Sequence, residues 1–287
     1  FSPELGDLGI LEVRLKSQNV GALHQTLVTR IPDHLSRLHM DPDDSPVFAV
    51  TDPFGNRFRI TAGKGWFREG RSRSAVKPGG SPVKGLCGGV CGVTIGVSNI
   101  DASLPLYRDV LGFTQTIYDE SGVFTDLDSN RSFRRVLLHR PAADEGAFSR
   151  LFGYSEVELL QSLDREGRKI FEGRYWGDLG FIHACFDVVD MDGLKAACEA
   201  AGFPFTVDSA SSFDMGEAAG RFSYIEDPDG TLIEFVQTHK VPVLKKIGWF
   251  IDLKKRSTLG ALPDWMLRSM ALNRVRLPEE SAAGSTA

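Results

Sequence analysis

Apolar and polar residues alternate along this chain in a recurring pattern, and each recurrence predicts a strand, a helix and further strands. Residues 89–98 alternate in the manner of a strand. Asn99 or Asp101 can cap the helix that follows, and Gly112 can end it. Later strands are predicted at 114–118, around 134–140 and around 155–162.

A second copy of the pattern begins at Gly180. It predicts a strand over 181–189 and an amphipathic helix over 191–201, which ends at Gly202. The copy closes with a strand, an Asp-Pro-Asp-Gly turn and another strand. That last strand carries Glu234 in an otherwise apolar setting.

A third copy lies at the front of the chain. Residues 9–15 resemble residues 180–186, and this alignment puts Glu12 where His183 stands. No further copy precedes it, so we expect the front module to lack a partner within the chain. Its partner could be supplied by another subunit, and a homodimer is therefore an open alternative.

The closing hairpin of the front copy replaces a carboxylate by a cation. Arg59 stands four residues after the glycine of its turn, and Glu234 stands at the same distance from its own turn glycine. We therefore interpret the copy with Glu234 as the one that carries chemistry and the front copy as scaffold.

The pattern predicts an α+β chain with four segments. These are a partial N-terminal strand–helix–strand module over 1–62, a basic linker over 63–85, two paired modules over 86–238, and a helical tail over 239–287. In the tail, Trp249 and Trp265 are the expected packing anchors.

Composition and charge narrow the class of protein. The chain has 287 residues, of which 42% are hydrophobic and 25% are charged, as is usual for a globular protein. We find neither an apolar run of about 20 residues nor a signal-peptide pattern, so we expect a cytoplasmic protein without membrane attachment. The net charge is −5. Because both 63–85 and 239–287 are basic, the body is acidic, which argues against nucleic-acid binding.

Three stretches together resemble the vicinal oxygen chelate superfamily, which includes glyoxalase I, bleomycin-resistance proteins and extradiol dioxygenases. They are 93–113, 180–183 and 226–235. The resemblance covers 86–238 well and 5–62 moderately. It implies tandem βαβββ modules that curl into a half-open mixed barrel around a divalent metal ion.

The resemblance also implies a ligand set of Glu158, His183 and Glu234. Two carboxylates and an imidazole suit Zn, Ni, Co, Mn or Fe, and without a metal two such carboxylates would repel each other. The fourth ligand position falls on Gly92, where family members usually carry a ligand. Either water or substrate fills that position, or the site has lost its metal.

A set of Glu, His and Glu is most similar to that of glyoxalase I. It implies a metal-dependent isomerase or lyase acting on a small oxygen-chelating substrate, with Glu234 or Glu158 moving a proton. Tyr224 and His139 are candidate substrate contacts. Arg221, at the end of a predicted lid over 208–220, is a third candidate. The alternatives are an Fe(II) extradiol-type dioxygenase and a non-catalytic protein that binds or sequesters a small molecule.

Overall fold

A computed structural model describes residues 3–63, 86–142, 145–209, 213–214, 219–244, 248–253 and 260–269. These residues form two β-sheets with short helices. The predicted linker, apart from Gly63, lies outside the described residues. Within the described part of the chain, no helix is long and apolar enough to cross a membrane.

The first sheet is built by two consecutive modules. The first module contains β1 (Gly9–Ser17), α1 (Val20–Val28), β2 (His39–Met40), β3 (Pro46–Thr51) and β4 (Arg57–Ala62). The second contains β5 (Cys87–Gly96), α2 (Ile100–Leu104), β6 (Gln115–Gly122), β7 (Phe133–Arg140), α3 (Ser149–Phe152) and β8 (Ser155–Ser162). A π-helical turn, Pro105–Val110, extends α2, and single 3-10 turns lie at Pro32–His34 and Thr125–Leu127.

The eight strands of this sheet run in the order β2-β3-β4-β1-β5-β8-β7-β6 and curl into a half-barrel. Within each module the first strand is parallel to the fourth, β1 to β4 and β5 to β8. The two modules meet where β1 pairs antiparallel with β5. The predicted α+β class and half-open mixed barrel are confirmed.

The partner of the front module differs from the prediction. The paired modules were placed at 86–238, but β1 bonds to β5 from Gly9 opposite Gly96 to Ser17 opposite Cys87. The front module and the second module therefore share the half-barrel, and the third module forms a sheet of its own. All three copies have the same pattern, so similarity along the chain could not indicate which two would share an interface.

The second sheet contains the third module. Its elements are β9 (His183–Asp187), α4 (Met191–Ala200), β10 (Val207–Asp208), β11 (Phe213–Asp214), β12 (Ala219–Glu226), β13 (Leu232–Leu244) and β14 (Trp249–Asp252). The long strand β13 pairs with β12 along one side. On its other side it pairs with β9 near its start and with β14 near its end.

The described residues of the predicted helical tail contain more strand than helix, and 245–247, 254–259 and 270–287 lie outside the described residues. Residues 239–244 continue β13, and Trp249 begins β14 rather than a helix. Among the described residues of the tail, one short helix, α5 (Asp264–Ser269), carries Trp265, and both tryptophans are exposed. Val241 and Val243 are β-branched and favour strand over helix, and Val241 pairs with Ile251 of β14.

A common core holds the two sheets together through their helices. Leu106 and Tyr107, which follow α2, are buried with Ile233 and Phe235 of β13 in one apolar cluster. The Tyr107 hydroxyl donates a 2.9 Å hydrogen bond to Asp227 in the turn of the third module. Because Ile233 and Phe235 face this core, their neighbours in β13 point to the opposite, outer face of the sheet.

Side-chain caps set the starts of α1, α2 and α4, and Asn19 is the cap of α1. Asn99, and not Asp101, caps α2, because its side chain accepts a hydrogen bond from the Ala102 N–H. Asp190 caps α4 in the same way through Gly193. Each cap satisfies a donor that the helix leaves free, which typically stabilises a helix by about 1 kcal/mol.

Candidate functional site

The parallel ladders align the fourth strands of the three modules. Arg59 lies opposite Arg14, Glu158 opposite Thr94, and Glu234 opposite Cys185. Arg59, Glu158 and Glu234 therefore occupy equivalent places. The predicted equivalence of Arg59 and Glu234 is confirmed.

The first strands align in the same way. Each first strand has a further equivalent residue two positions earlier: Glu12 before Arg14, Gly92 before Thr94 and His183 before Cys185. These three residues are equivalent, as the sequence predicted for Glu12 and His183.

The inside of the half-barrel is filled with paired charges. Three arginines there are almost completely buried: Arg14, Arg59 and Arg135. Carboxylates of β1, β8, the loop after β2 and the 3-10 turn before β7 surround these arginines and are buried as well: Glu12, Asp41, Asp126, Glu156 and Glu158. Charges removed from water need partners of this kind, because the penalty for burying an isolated ion is several kcal/mol.

Glu158 uses both carboxylate oxygens within this network. Arg14 Nη1 donates to one oxygen at 2.7 Å and Arg135 Nε donates to the other at 2.7 Å. Thr94 and Tyr118 hydroxyls complete four hydrogen bonds at 2.9 and 2.8 Å. Burial would raise the pKa of Glu158, but Arg135 and Arg14 outweigh it and hold that pKa well below its usual range.

This arrangement separates Glu158 from the other two predicted ligands. Glu158 lies in the half-barrel, whereas His183 and Glu234 lie in the second sheet. Two guanidinium groups already neutralise the carboxylate and would repel a divalent cation. The chemistry of the donors inside the half-barrel therefore does not fit a metal ion.

Other buried carboxylates of the half-barrel also lie beside arginines. Glu12 accepts from Arg57 and Arg59 at 2.9 and 2.8 Å. Burial opposes the ionised form, but these two cations lower the pKa of Glu12 to about 2. Asp41 lies 3.1 Å from Arg135, yet burial dominates there and raises the pKa of Asp41 to about 6.

Close packing in this network explains why position 92 is a glycine. A Cβ atom at this position would lie 1.9 Å from the backbone oxygen of Glu156, so β5 or β8 would have to shift to admit any side chain. Arg14 stands directly opposite Gly92 in the sheet and reaches past β5 to Glu156, with Nε 2.7 Å from Oε1. Close packing between β5 and β8 therefore explains the glycine, and position 92 offers no ligand inside the half-barrel.

The outer face of the third module carries a different cluster. His183 Nε2 lies 3.0 Å from Glu234 Oε2, and the two side chains remain 25% and 16% exposed. Tyr224 stands opposite Glu234 in the sheet, and their side chains are hydrogen-bonded. The rings of Trp176 and Tyr224 each lie 5.6 Å from the His183 ring. This cluster is reachable from solvent, unlike the network in the half-barrel.

His183 and Glu234 fit two positions of a metal site. Their nearest donor atoms converge at hydrogen-bonding distance, and a proton or a cation must lie between them. His183 Nδ1 is buried and has no hydrogen-bond partner among the described residues. Two donors are half of the usual four-coordinate set.

A third protein ligand is not found in the described part of the chain. No group of three or more His, Cys, Asp or Glu residues there could hold a metal ion. Cys185 is the nearest further candidate, since its thiol bonds to Glu234. Burial of the thiol and the Glu234 charge raise the pKa of Cys185 to about 12, so the thiol stays protonated and is a poor ligand.

Two of the predicted substrate contacts lie elsewhere. Arg221 donates to Asp208 and Asp192 at 2.7 and 2.6 Å, on the face of β12 opposite Tyr224. His139 lies in β7, 3.0 Å from Gln115 Oε1. Residues 210–212 and 215–218 of the predicted lid lie outside the described residues.

Two groups of residues were not predicted from the sequence. Trp176 was missed because it precedes β9 in a glycine-rich segment without periodicity. Its signal was an adjacent aromatic pair, Tyr175 and Trp176, in an otherwise polar stretch. Arg14 and Arg135 were missed although each interrupts an apolar strand, which is itself an indication of a buried ion network.

Comparison with known protein families gives one match for this sequence. A family model described as Glyoxalase/Bleomycin resistance protein/Dioxygenase superfamily matches residues 91–235, half of the chain. No curated protein sequence matches.

Solved structures are similar in fold at low sequence identity. A putative dioxygenase from Bacillus subtilis is 13% identical, with a TM-score of 0.49 over 81% of this chain and 63% of that one. Glyoxalase I from Zea mays is 13% identical, with a TM-score of 0.45 over 81% and 69%. A glyoxalase family protein from Bacillus cereus is 14% identical, with a TM-score of 0.39 over 51% and 90%. This chain thus spans less than two thirds of the length of the Bacillus subtilis protein.

Proposed function

Because this chain belongs to the glyoxalase/bleomycin resistance protein/dioxygenase superfamily, we propose that it is a metal-dependent, glyoxalase-like isomerase or lyase centred on His183 and Glu234. The observation that carries the proposal is the convergence of His183 Nε2 and Glu234 Oε2, 3.0 Å apart on an accessible face. The equivalent carboxylate of the half-barrel, Glu158, is neutralised by arginines and is left out of the proposed site.

The side chains of the third module have distinct roles in this proposal. His183 and Glu234 would hold a divalent metal, which when bound polarises the oxygen atoms of a small substrate. Glu234 is the candidate for moving a proton, since its carboxylate lies beside both the imidazole and the Tyr224 hydroxyl. Tyr224 orients that carboxylate, and Trp176 covers one side of the imidazole.

A second candidate function is binding of a small molecule without catalysis. It is favoured by the finding that the described residues gather only two ligands where a catalytic metal usually has three. An extradiol-type dioxygenase is supported less, because such a site uses two histidines and His183 is the one histidine on this face among the described residues.

Metal analysis of the purified chain tests the proposal. Protein prepared without chelator should contain Zn, Ni, Co, Mn or Fe, and His183→Ala and Glu234→Ala should each lose it. His139→Ala is the matched control, because it removes a histidine from the other sheet and should keep the metal. Glu234→Gln should abolish turnover in assays of isomerase and lyase activity.

Two results would decide against this function. Metal that stays bound in both His183→Ala and Glu234→Ala would place the site elsewhere. A chain that takes up none of the five metals on reconstitution, yet binds a small molecule at Trp176 and Tyr224, would support the non-catalytic alternative.

A further inference from the structure

A cavity of about 190 Å³ lies between the front module and the segment that leads into β9. It is lined by residues 3–5, the start of β1, the turn before β4 and residues of the segment 170–181. The described residues that line it do not include Glu158, His183 or Glu234. Because an apolar cavity of about 150 Å³ can hold a benzene ring, this one has room for a single ring or a short chain.

Most of the cavity wall is apolar. Leu11 and Ile170 line it and are buried in one apolar cluster, and Leu5 packs against that cluster. Leu179 and Phe54 line it as well, but they are exposed by 60% and 68%. The cavity therefore has a buried apolar floor and an apolar rim at the surface, which suits the body of a small apolar ligand that enters from solvent.

Arg57, at the start of β4, brings a cation into this wall. Its Nε donates to Glu12 at 2.9 Å, and Glu12 is shared with Arg59. The Nη2 atom of Arg57 is buried and has no hydrogen-bond partner among the described residues. A buried donor on a charged group is costly to leave unpaired, so an acceptor that entered the cavity would stabilise it.

Arg174, the second arginine of the cavity, is bonded within its own segment. Its guanidinium donates to the carbonyl oxygen of Ile170 at 3.4 Å and to that of Leu179. Its Nε lies 3.7 Å from Asp178. These contacts hold the far wall of the cavity in shape, and they leave Arg57 as the lining arginine whose buried donor is unpaired among the described residues.

The charges around the cavity favour an anion. Two arginines line it, and Glu4 is the one carboxylate among the described lining residues. The Glu4 carboxylate lies 3.0 Å from Arg131 and 3.6 Å from Arg168, so its charge is already balanced. Arginine donors form strong, charge-assisted hydrogen bonds with carboxylates. An inorganic anion would satisfy Arg57 but would leave the apolar wall unused.

We propose that this cavity binds a small monocarboxylate with an apolar body, such as an aromatic or a short aliphatic acid. The carboxylate accepts a hydrogen bond from Arg57 Nη2, and the ring or chain fills the space beside Leu11, Ile170 and Leu179. The site is separate from His183 and Glu234, and the inference does not depend on the proposed metal or reaction.

Titration calorimetry of the native chain with benzoate tests the site. We expect one benzoate per chain with a Kd below about 1 mM, which a ligand of this size allows. Benzyl alcohol has a similar shape without the charge and should bind about 10- to 100-fold more weakly, because it makes no charged hydrogen bond with Arg57. Acetate keeps the charge, lacks the ring and should also bind more weakly than benzoate. No saturable binding of benzoate at millimolar concentration, or equal affinity for benzoate and either control ligand, would overturn the proposal.

Arg57→Gln tests the proposed donor. It should lower the affinity for benzoate at least about 10-fold and leave that for benzyl alcohol unchanged, which also shows that the variant keeps its cavity. Arg108→Gln is the matched control, because it removes an exposed, ion-paired arginine away from the cavity and should bind benzoate as the native chain does. Native benzoate affinity in Arg57→Gln would contradict the assignment.

Leu179→Ala tests the apolar wall without touching a buried residue. Leu179 is exposed, so the variant should fold, and the lost apolar contact should weaken benzoate binding several-fold. Leu163→Ala, an equally simple change at an exposed leucine outside the cavity, should have no effect. His183→Ala should bind benzoate normally even if it loses a metal. Benzoate binding that is lost in His183→Ala and kept in Leu179→Ala would place the carboxylate at the proposed metal site and overturn the inference.

Discussion

The interior of the half-barrel and the outer face of the third module use the same strand positions for opposite purposes. In the half-barrel, Glu158 is enclosed by Arg14 and Arg135 and has no contact with solvent. In the third module, the equivalent Glu234 meets His183 and remains accessible. Strand position in this fold therefore does not determine the chemistry of a carboxylate. The neighbouring side chains decide whether a carboxylate is a structural counter-ion or an available ligand.

The two regions should also differ in what they contribute to stability. Breaking a buried ion pair leaves an uncompensated charge and is strongly destabilising, although the pair as a whole adds little net stability. An accessible pair on a sheet face is solvated in both states and contributes about 1 kcal/mol or less. This contrast leads to three measurements.

Glu158→Gln should change stability more than any other single substitution considered. The substitution leaves Arg14 and Arg135 without their shared carboxylate, and we expect a loss of about 3–5 kcal/mol in the free energy of unfolding. Urea denaturation monitored by tryptophan fluorescence measures this loss. Glu234→Gln, the matched change in the open module, should cost less than about 1 kcal/mol. Equal losses in the two variants would remove the distinction between the regions.

The next effect, taken for one carboxylate at a time, is a loss of stability in acid. The pKa values of Glu12 and Asp7 are lowered to about 2, and that of Glu158 is lowered too, so the folded chain binds these protons more weakly than the unfolded chain. Their contribution is complete above about pH 4.5 and is lost as the pH falls toward 2, and Glu12 alone accounts for about 3 kcal/mol.

Asp41 shifts in the other direction, and the sign of its effect is reversed. Burial raises the pKa of Asp41 to about 6, so its contribution is present at low pH and is lost as the pH rises through 6. The maximum stability should therefore lie between about pH 4.5 and 6. Unfolding free energies measured from pH 2 to 8 check this profile, and a flat curve below pH 4.5 would contradict it. The exposed Glu120→Gln variant should follow the native curve.

The smallest of the three effects is that of Gly92→Ala. A methyl group at this position meets the backbone oxygen of Glu156, and β5 or β8 must shift to make room. Overpacking of this kind costs about 1–3 kcal/mol, which denaturation would detect. Gly89→Ala, in the same strand but with open space around the Cβ position, should be close to neutral. If both variants behave alike, close packing does not explain Gly92.

Local pattern in the sequence was sufficient for many single elements. The strand predicted around 155–162 is β8 with the same bounds, and the helix predicted over 191–201 is α4 to within one residue. The alignment of Glu12 with His183 and of Arg59 with Glu234 followed from spacing alone and holds in the parallel ladders. Such features depend on neighbours within a few residues, which the sequence displays directly.

The candidate site was predicted only in part, for a physical reason. His183, Glu234 and Tyr224 come together because they lie on three adjacent strands of one module. Glu158 does not join them, because which two modules share an interface depends on contacts between residues far apart along the chain. The family resemblance supplied the ligand positions but could not indicate that Arg14 and Arg135 would neutralise one of them.

Spacing and alternation in the chain were therefore enough to predict the repeated module, its turns and the equivalent positions within each copy. The pairing of β1 with β5 and the closure of one interior by arginines became evident only in three dimensions. Strand periodicity and turn chemistry act between near neighbours, whereas module pairing and ion burial are set by side chains that folding brings together from distant parts of the sequence.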